Sequence, residues 1–163
     1  MANKKKQVKR RQWDKLAIAL VAPLLVGGVG SLPAISQIPT WYVYLEKPFF
    51  NPPNWLFGPV WTVLYLLMGI ALFLVWREVG DTRRARAVFW AQLVLNLGWT
   101  YLFFGAHLVG FALIEIVILL VTLVYTAQLF ARHNHTAAWL LGPYIAWVTF
   151  AMLLNAAIFV LNT

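Results

Sequence analysis

Hydrophobic positions in this chain gather into five long runs instead of the short alternations or narrow stripes of a water-enclosed core. They cover residues 16–36, 58–76, 87–106, 108–131 and 136–161. Each is close to the roughly 20 residues that cross about 30 Å of hydrocarbon as a helix. The separators are chemically marked: a proline-rich stretch from Gln37 to Phe57, a charged turn from Arg77 to Arg86, a short turn at His107, and the polar Arg132-His133-Asn134-His135. The pattern predicts an all-α integral membrane protein built as a bundle of five transmembrane helices. Its organisation is a basic tail, residues 1–15, followed by a single transmembrane domain, residues 16–163, with one long loop at 37–57. Composition agrees, since 62% of the side chains are hydrophobic and 11% charged, where a soluble domain is charged at about a quarter of its positions.

A net charge of +8 raises the question of nucleic acid. Its distribution argues for topology instead. Seven of the thirteen Lys and Arg lie in the first fifteen residues, directly before an apolar run and with only Trp13 as an interleaved aromatic. That is a cytoplasmic retention signal, and no nucleic-acid partner is expected. With the N-terminus cytoplasmic and the C-terminus outside, the inside segments carry twelve basic residues and the outside only Lys47. The bilayer is then the solvent, in a bacterial inner (plasma) membrane or, in a eukaryote, the outer mitochondrial membrane. The first run is of span length, longer than the 7–15 residues of a signal-peptide core, so it reads as a retained span. A cysteine count of zero excludes disulfide scaffolds, zinc ribbons and thiol catalysis.

Nine tryptophans divide by position. Trp13, Trp41, Trp55, Trp76, Trp90 and Trp139 fall near span ends, where an amphipathic indole sits at headgroup depth. Trp61, Trp99 and Trp147 fall inside spans, each with companions three, four or seven residues away on its own helix face. Trp61 aligns with Tyr65 and Met68; Gln92, Asn96, Trp99 and Phe103 form a second stripe; Tyr144, Trp147, Ala151 and Asn155 form a third, in which Ala151 leaves room beside the indole. Faces mixing π surface with amides turn away from lipid, because an unpaired amide in hydrocarbon is costly. Two roles compete for the amides: interhelical hydrogen bonding and the wall of a cavity opening toward the outer surface. Above that cavity the loop 37–57, stiffened by Pro39, Pro48, Pro52 and Pro53 and rich in aromatics, is expected to fold down as a lid.

Glu115 is the one carboxylate predicted inside a span, which makes it a candidate site residue. Its three readings are pairing with an amide of a neighbouring helix, contact with a ligand, and proton coupling. No nucleophile elbow, phosphate-cradling glycine loop or metal-ligand pattern is present; His133 and His135 stand in a polar loop. Gly27, Gly28, Gly30 and Ser31 read as close-packing positions of the first helix.

Several longer strings are more specific. Trp41-Tyr42, Leu45-Glu46-Lys47-Pro48, Asn51-Pro52-Pro53-Asn54-Trp55 and Phe57-Gly58-Pro59-Val60-Trp61-Thr62-Val63-Leu64-Tyr65 are followed by Ala91-Gln92-Leu93-x-x-Asn96-x-x-Trp99 and by Pro143-Tyr144-x-x-Trp147-x-x-Phe150-Ala151-x-x-Leu154-Asn155. Together they resemble the tryptophan-rich sensory protein (TspO/MBR) family, which includes the mitochondrial translocator protein or peripheral benzodiazepine receptor. The resemblance implies a five-helix bundle, a homodimer, and a pocket beneath the first loop for porphyrin-type tetrapyrroles such as haem or protoporphyrin and for drug-like molecules, with no obligatory cofactor. The positions matching the family's pocket are Trp41, Tyr42, Trp61, Tyr65, Asn96, Trp99, Trp147 and Ala151. It also implies a role in stress response, leaving transport by a small proton-coupled carrier as an alternative function and light-dependent porphyrin breakdown as the one enzymatic reading. Two departures stand out. The sterol motif of the animal members needs a basic residue after Tyr144 and none follows, although Arg86-x-x-Phe89-x-x-x-Leu93 fits the reversed pattern; and Glu115 stands where the family favours Asp.

Overall fold

In a computed structural model the described residues are 2–163, with side chains described from Gln12 onward. The basic cluster from Lys4 to Arg11 therefore lies outside the described side chains. The described residues form helices α1 (Ala2–Gln37), α2 (Phe57–Trp76), α3 (Arg83–Thr100), α4 (Val109–Ala131), α5 (His135–Leu140) and α6 (Gly142–Leu161), with no strand among them. Five of the resulting segments are long and apolar enough to span a membrane: Gln12–Gln37, Asn54–Trp76, Arg83–Gly105, Val109–Ala131 and His135–Leu161. The expected boundaries hold to within four residues.

The helix ends follow from local chemistry. α1 ends at Gln37 and runs out through a turn in which Ile38 and Trp41 bond back to Ala34 and Gln37 on either side of Pro39, which has no amide to donate. Entry to α2 is through a short 3₁₀ turn, Asn54–Leu56, that follows Pro53. Asp81 accepts from the Arg83 amide at the start of α3. The far end of α3 widens into a π turn, Tyr101–Gly105, and the chain reverses through His107, whose φ of 57° is left-handed. The last span was expected as one helix. It is two, because Pro143 removes a backbone donor within the apolar run, and the Asn134 side chain caps α5 through the Ala137 amide.

The spans close into a ring in the order α1, α2, α5/α6, α4, α3, back to α1. Packing is tightest where side chains are smallest. Gly69 of α2 lies directly on the α1 backbone: an added Cβ would come within 2.7 Å of the Ala19 carbonyl and 3.0 Å of Leu20 Cα. At this end Lys15 Nζ donates to the Trp76 carbonyl at 2.9 Å, and Asn134 bonds Glu78. The opposite end carries the 37–57 loop, the His107 turn and the C-terminus.

Candidate functional site

Six polar side chains inside the bundle pair across helices. Tyr65 (α2) donates to Asn96 Oδ1 (α3) at 2.6 Å, and Tyr144 (α6) donates to Gln92 Oε1 (α3) at 3.1 Å. Trp99 Nε1 donates to Asn155 Oδ1 at 3.1 Å, and Asn155 Nδ2 donates to the Val109 carbonyl at 3.0 Å, so one amide ties α3, α4 and α6. Gln92, Asn96, Tyr144 and Asn155 are buried at 0–1% exposure. Each bond offsets the cost of placing an amide or phenol in an apolar medium. The bonds also fix the rings that the amides hold.

Those rings wall a cavity of about 590 Å³ at the loop end. Trp61 and Tyr65 stack on each other at 5.5 Å, and Trp61 meets Tyr144 edge-on at 6.0 Å. Trp99 and Trp147 come from α3 and α6, and Ala151, one turn after Trp147, contributes a methyl where a larger side chain would intrude. The wall opposite the indoles is α1, through Gly27, Gly28, Gly30, Ser31 and Ala34, and the mouth is edged by Asn54, Trp55 and Ile38. Gly27 leaves no room to spare, since any Cβ there would collide with the Tyr65 ring, whereas a Cβ on Gly28 would meet open space. The lining contains no Lys, Arg, His, Met or carboxylate. Its three aliphatic hydroxyls are turned to their own helices: Ser31 to the Gly28 carbonyl, Thr62 to the Gly58 carbonyl, Thr100 to the Asn96 carbonyl.

The residues singled out from sequence thus fall into three groups. Trp61, Tyr65, Trp99, Trp147 and Ala151 line the cavity. Gln92, Asn96, Tyr144 and Asn155 stand behind it as its hydrogen-bonded frame, Asn155 also reaching an adjoining void of about 20 Å³ with Tyr42. Trp41, Tyr42 and Glu115 do not line the main cavity. Trp41 instead stacks on His107 with ring centroids 4.1 Å apart. Tyr42 is buried against Phe103 and Phe104 and donates to Asn51 Oδ1 at 2.6 Å, pinning the loop to itself and to the bundle end. Burial pushes its hydroxyl up to about 12, so it stays a donor at neutral pH. Glu115 has no amide partner: both carboxyl oxygens are buried without a hydrogen bond, and Oε1 lies near Gly98 of α3.

Sequence reasoning missed the α1 wall. Its glycines read as packing positions, whereas Gly27, Gly28 and Gly30 all line the cavity and only Gly27 and Gly30 also pack closely on a neighbouring helix. Trp55, assigned to the interface, is exposed and also edges the mouth. Phe57, Thr62, Thr100 and Phe104 complete the lining without any polar or periodic signal of their own.

The TspO/MBR family model matches residues 19–161. The chain is 42% identical over 149 residues to a tryptophan-rich protein TspO of Archaeoglobus fulgidus, covering 91% of this chain and 97% of that one. It is 41% identical over 156 residues to the Chlorobaculum tepidum protein of the same name, covering 93% and 98%. With the human translocator protein it shares 37% identity over 139 residues, covering 83% of this chain and 82% of the human one. The chain belongs to the TspO/MBR family, and it is an integral membrane protein of five spans.

Proposed function

We propose that this TspO/MBR family member is a membrane receptor that takes a planar, porphyrin-type ligand into the indole-walled cavity, with the 37–57 loop as its lid. One observation carries the reading: a cavity of about 590 Å³ whose walls are Trp61, Tyr65, Trp99 and Trp147 and whose mouth is edged by the loop. Pockets for small molecules generally run from about 300 to 1,000 Å³, with apolar and aromatic walls. A flat macrocycle gains ring-to-ring contact with indoles. The loop end faces the non-cytoplasmic side in this reading, because Lys15, Arg77, Arg83, Arg84, Arg86 and Arg132 all belong to the other end. Family membership adds a homodimer to this reading, set in a plasma membrane or, in a eukaryote, the outer mitochondrial membrane. Titrating protoporphyrin IX into detergent-solubilised protein and following indole fluorescence tests the proposal. Ala151→Leu, which fills the space beside Trp147, weakens binding by about tenfold or more, equal to about 1.4 kcal/mol; unchanged affinity refutes it.

Glu115 supports a second reading, a small proton-coupled carrier, because a buried carboxyl with both oxygens unpaired is the kind of group that exchanges a proton. In proteoliposomes Glu115→Gln would then abolish flux driven by a pH gradient while leaving protoporphyrin affinity intact. Flux that survives the substitution rejects the carrier.

A further inference from the structure

The lining described above offers ring faces and neutral hydroxyl and amide groups, and no His, Met, Cys or carboxylate. The indole N–H groups of Trp61 and Trp147 have no hydrogen-bond partner among the described residues, while the Trp99 N–H is held by Asn155. The one side chain of an iron-ligating type is Tyr65, and its proton is committed to Asn96 Oδ1 at 2.6 Å, in a bond directed to the buried frame. Ser31, Thr62 and Thr100 are neutral hydroxyls already donating to backbone carbonyls. No cation lines the cavity either, so nothing inside it balances a carboxylate.

We infer that the cavity selects the metal-free macrocycle over its iron complex, holding the ring among Trp61, Trp99 and Trp147 and leaving the ligand's carboxylates in water at the mouth beside Asn54. The inference rests on the receptor reading above and deepens it. Proteins that hold haem supply an axial His, Met, Cys or Tyr. A ferric macrocycle carries a net positive charge at the metal and an axial water or anion standing out of the ring plane. Seating it between indoles strips that ligand, or forces it against a ring face, and leaves the charge unpaired in apolar surroundings, which is costly. The free base has neither problem: its ring plane is clear, its centre is neutral, and both faces can lie against indole. The residues present therefore do not fit haem as a ligated cofactor, and they do fit a flat neutral ring.

The test uses the full chain in detergent or nanodiscs, titrated in parallel with protoporphyrin IX, its dimethyl ester and haemin, with Thr62→Leu and Ala151→Leu, two lining positions, as variants. The expected result is that the free acid and the ester bind within about threefold of each other, and haemin about tenfold or more weaker. Any haemin that does bind shows a spectrum without a protein axial ligand, unchanged by Tyr65→Phe. The inference is overturned if haemin binds as tightly as the free base, or gives a low-spin or tyrosinate-type spectrum that Tyr65→Phe removes. It is also overturned if the ester binds about tenfold more weakly than the acid, because the protein would then be holding the carboxylates. If all three ligands respond to the two variants with equal affinities, selection falls and the receptor reading stands; if none responds to either variant, both fall.

Discussion

Asn155 is the residue on which the cavity wall depends most, and its loss has a calculable cost. The side chain is buried at 1% exposure, accepts from Trp99 Nε1 at 3.1 Å and donates to the Val109 carbonyl at 3.0 Å. Asn155→Leu keeps the branching at Cγ but removes both bonds, leaving the Trp99 indole N–H without a partner and the Val109 carbonyl without its side-chain donor. In membrane proteins an interhelical side-chain hydrogen bond contributes about 0.6 kcal/mol on average and up to about 1.7. Two such bonds put the loss at about 1–3 kcal/mol. Trp99→Phe removes only the indole bond and is expected to cost less. The double variant isolates the Trp99–Asn155 coupling at about 0.6–1.7 kcal/mol. Unfolding from mixed micelles with increasing SDS, followed by circular dichroism, measures all four corners of the cycle. Because Trp99 loses its anchor, protoporphyrin affinity should fall in Asn155→Leu along with stability. A cost below about 0.3 kcal/mol together with zero coupling would show that Asn155 does not hold the indole, and the frame described here would be wrong.

Three further outcomes follow. Gly69→Ala places a Cβ 2.7 Å from the Ala19 carbonyl and 3.0 Å from Leu20 Cα, backbone atoms that cannot rotate aside; it should destabilise by about 1–3 kcal/mol in the same SDS assay, whereas Gly28→Ala, facing open space, should cost nothing. The Tyr42 hydroxyl is pushed up to about 12 by burial, against an unfolded value of about 10, so its contribution is complete below about pH 10 and lost as pH rises through about 12; thermal unfolding at stepped alkaline pH should show a loss that is smaller in Tyr42→Phe. Irradiating the protoporphyrin complex and following the Soret band tests light-driven breakdown, with Trp147 in the cavity wall as the oxidisable ring: faster bleaching than free protoporphyrin, slowed in Trp147→Phe, supports it, and identical bleaching removes it.

Most of the fold was legible because a membrane demands uninterrupted apolar runs, and those runs are plain in the chain. The break at Leu141 was not, since Gly142-Pro143 sits within such a run and only the missing Pro143 amide ends α5. Three of the cavity walls were legible from the 3.6-residue spacing around Trp61, Trp99 and Trp147, and the same spacing identified Gln92, Asn96 and Asn155 as inward. It did not separate lining from frame. Trp99 and Asn155 lie on different helices, and only tertiary packing decides that the indole lines the cavity while the amide bonds behind it. The α1 wall stayed hidden because a glycine that makes room for a ligand and one that makes room for a helix look alike. Gly27 does both beside Tyr65. Glu115 could be located within its helix from sequence, but its lack of a partner depends on α3 presenting Gly98 there instead of an amide.

The central claim, that a planar ligand lies among three particular indoles, is tested most directly by ¹⁹F NMR of protein labelled with fluorotryptophan, each resonance assigned by single Trp→Phe substitution. A bound tetrapyrrole's ring current moves the resonances of nuclei lying over its face. On addition of protoporphyrin IX the account predicts large shifts for Trp61, Trp99 and Trp147, a smaller one for Trp55 at the mouth, and none for Trp13, Trp76, Trp90 or Trp139. Shifts confined to Trp13 or Trp139, or spread evenly over all nine, would contradict it.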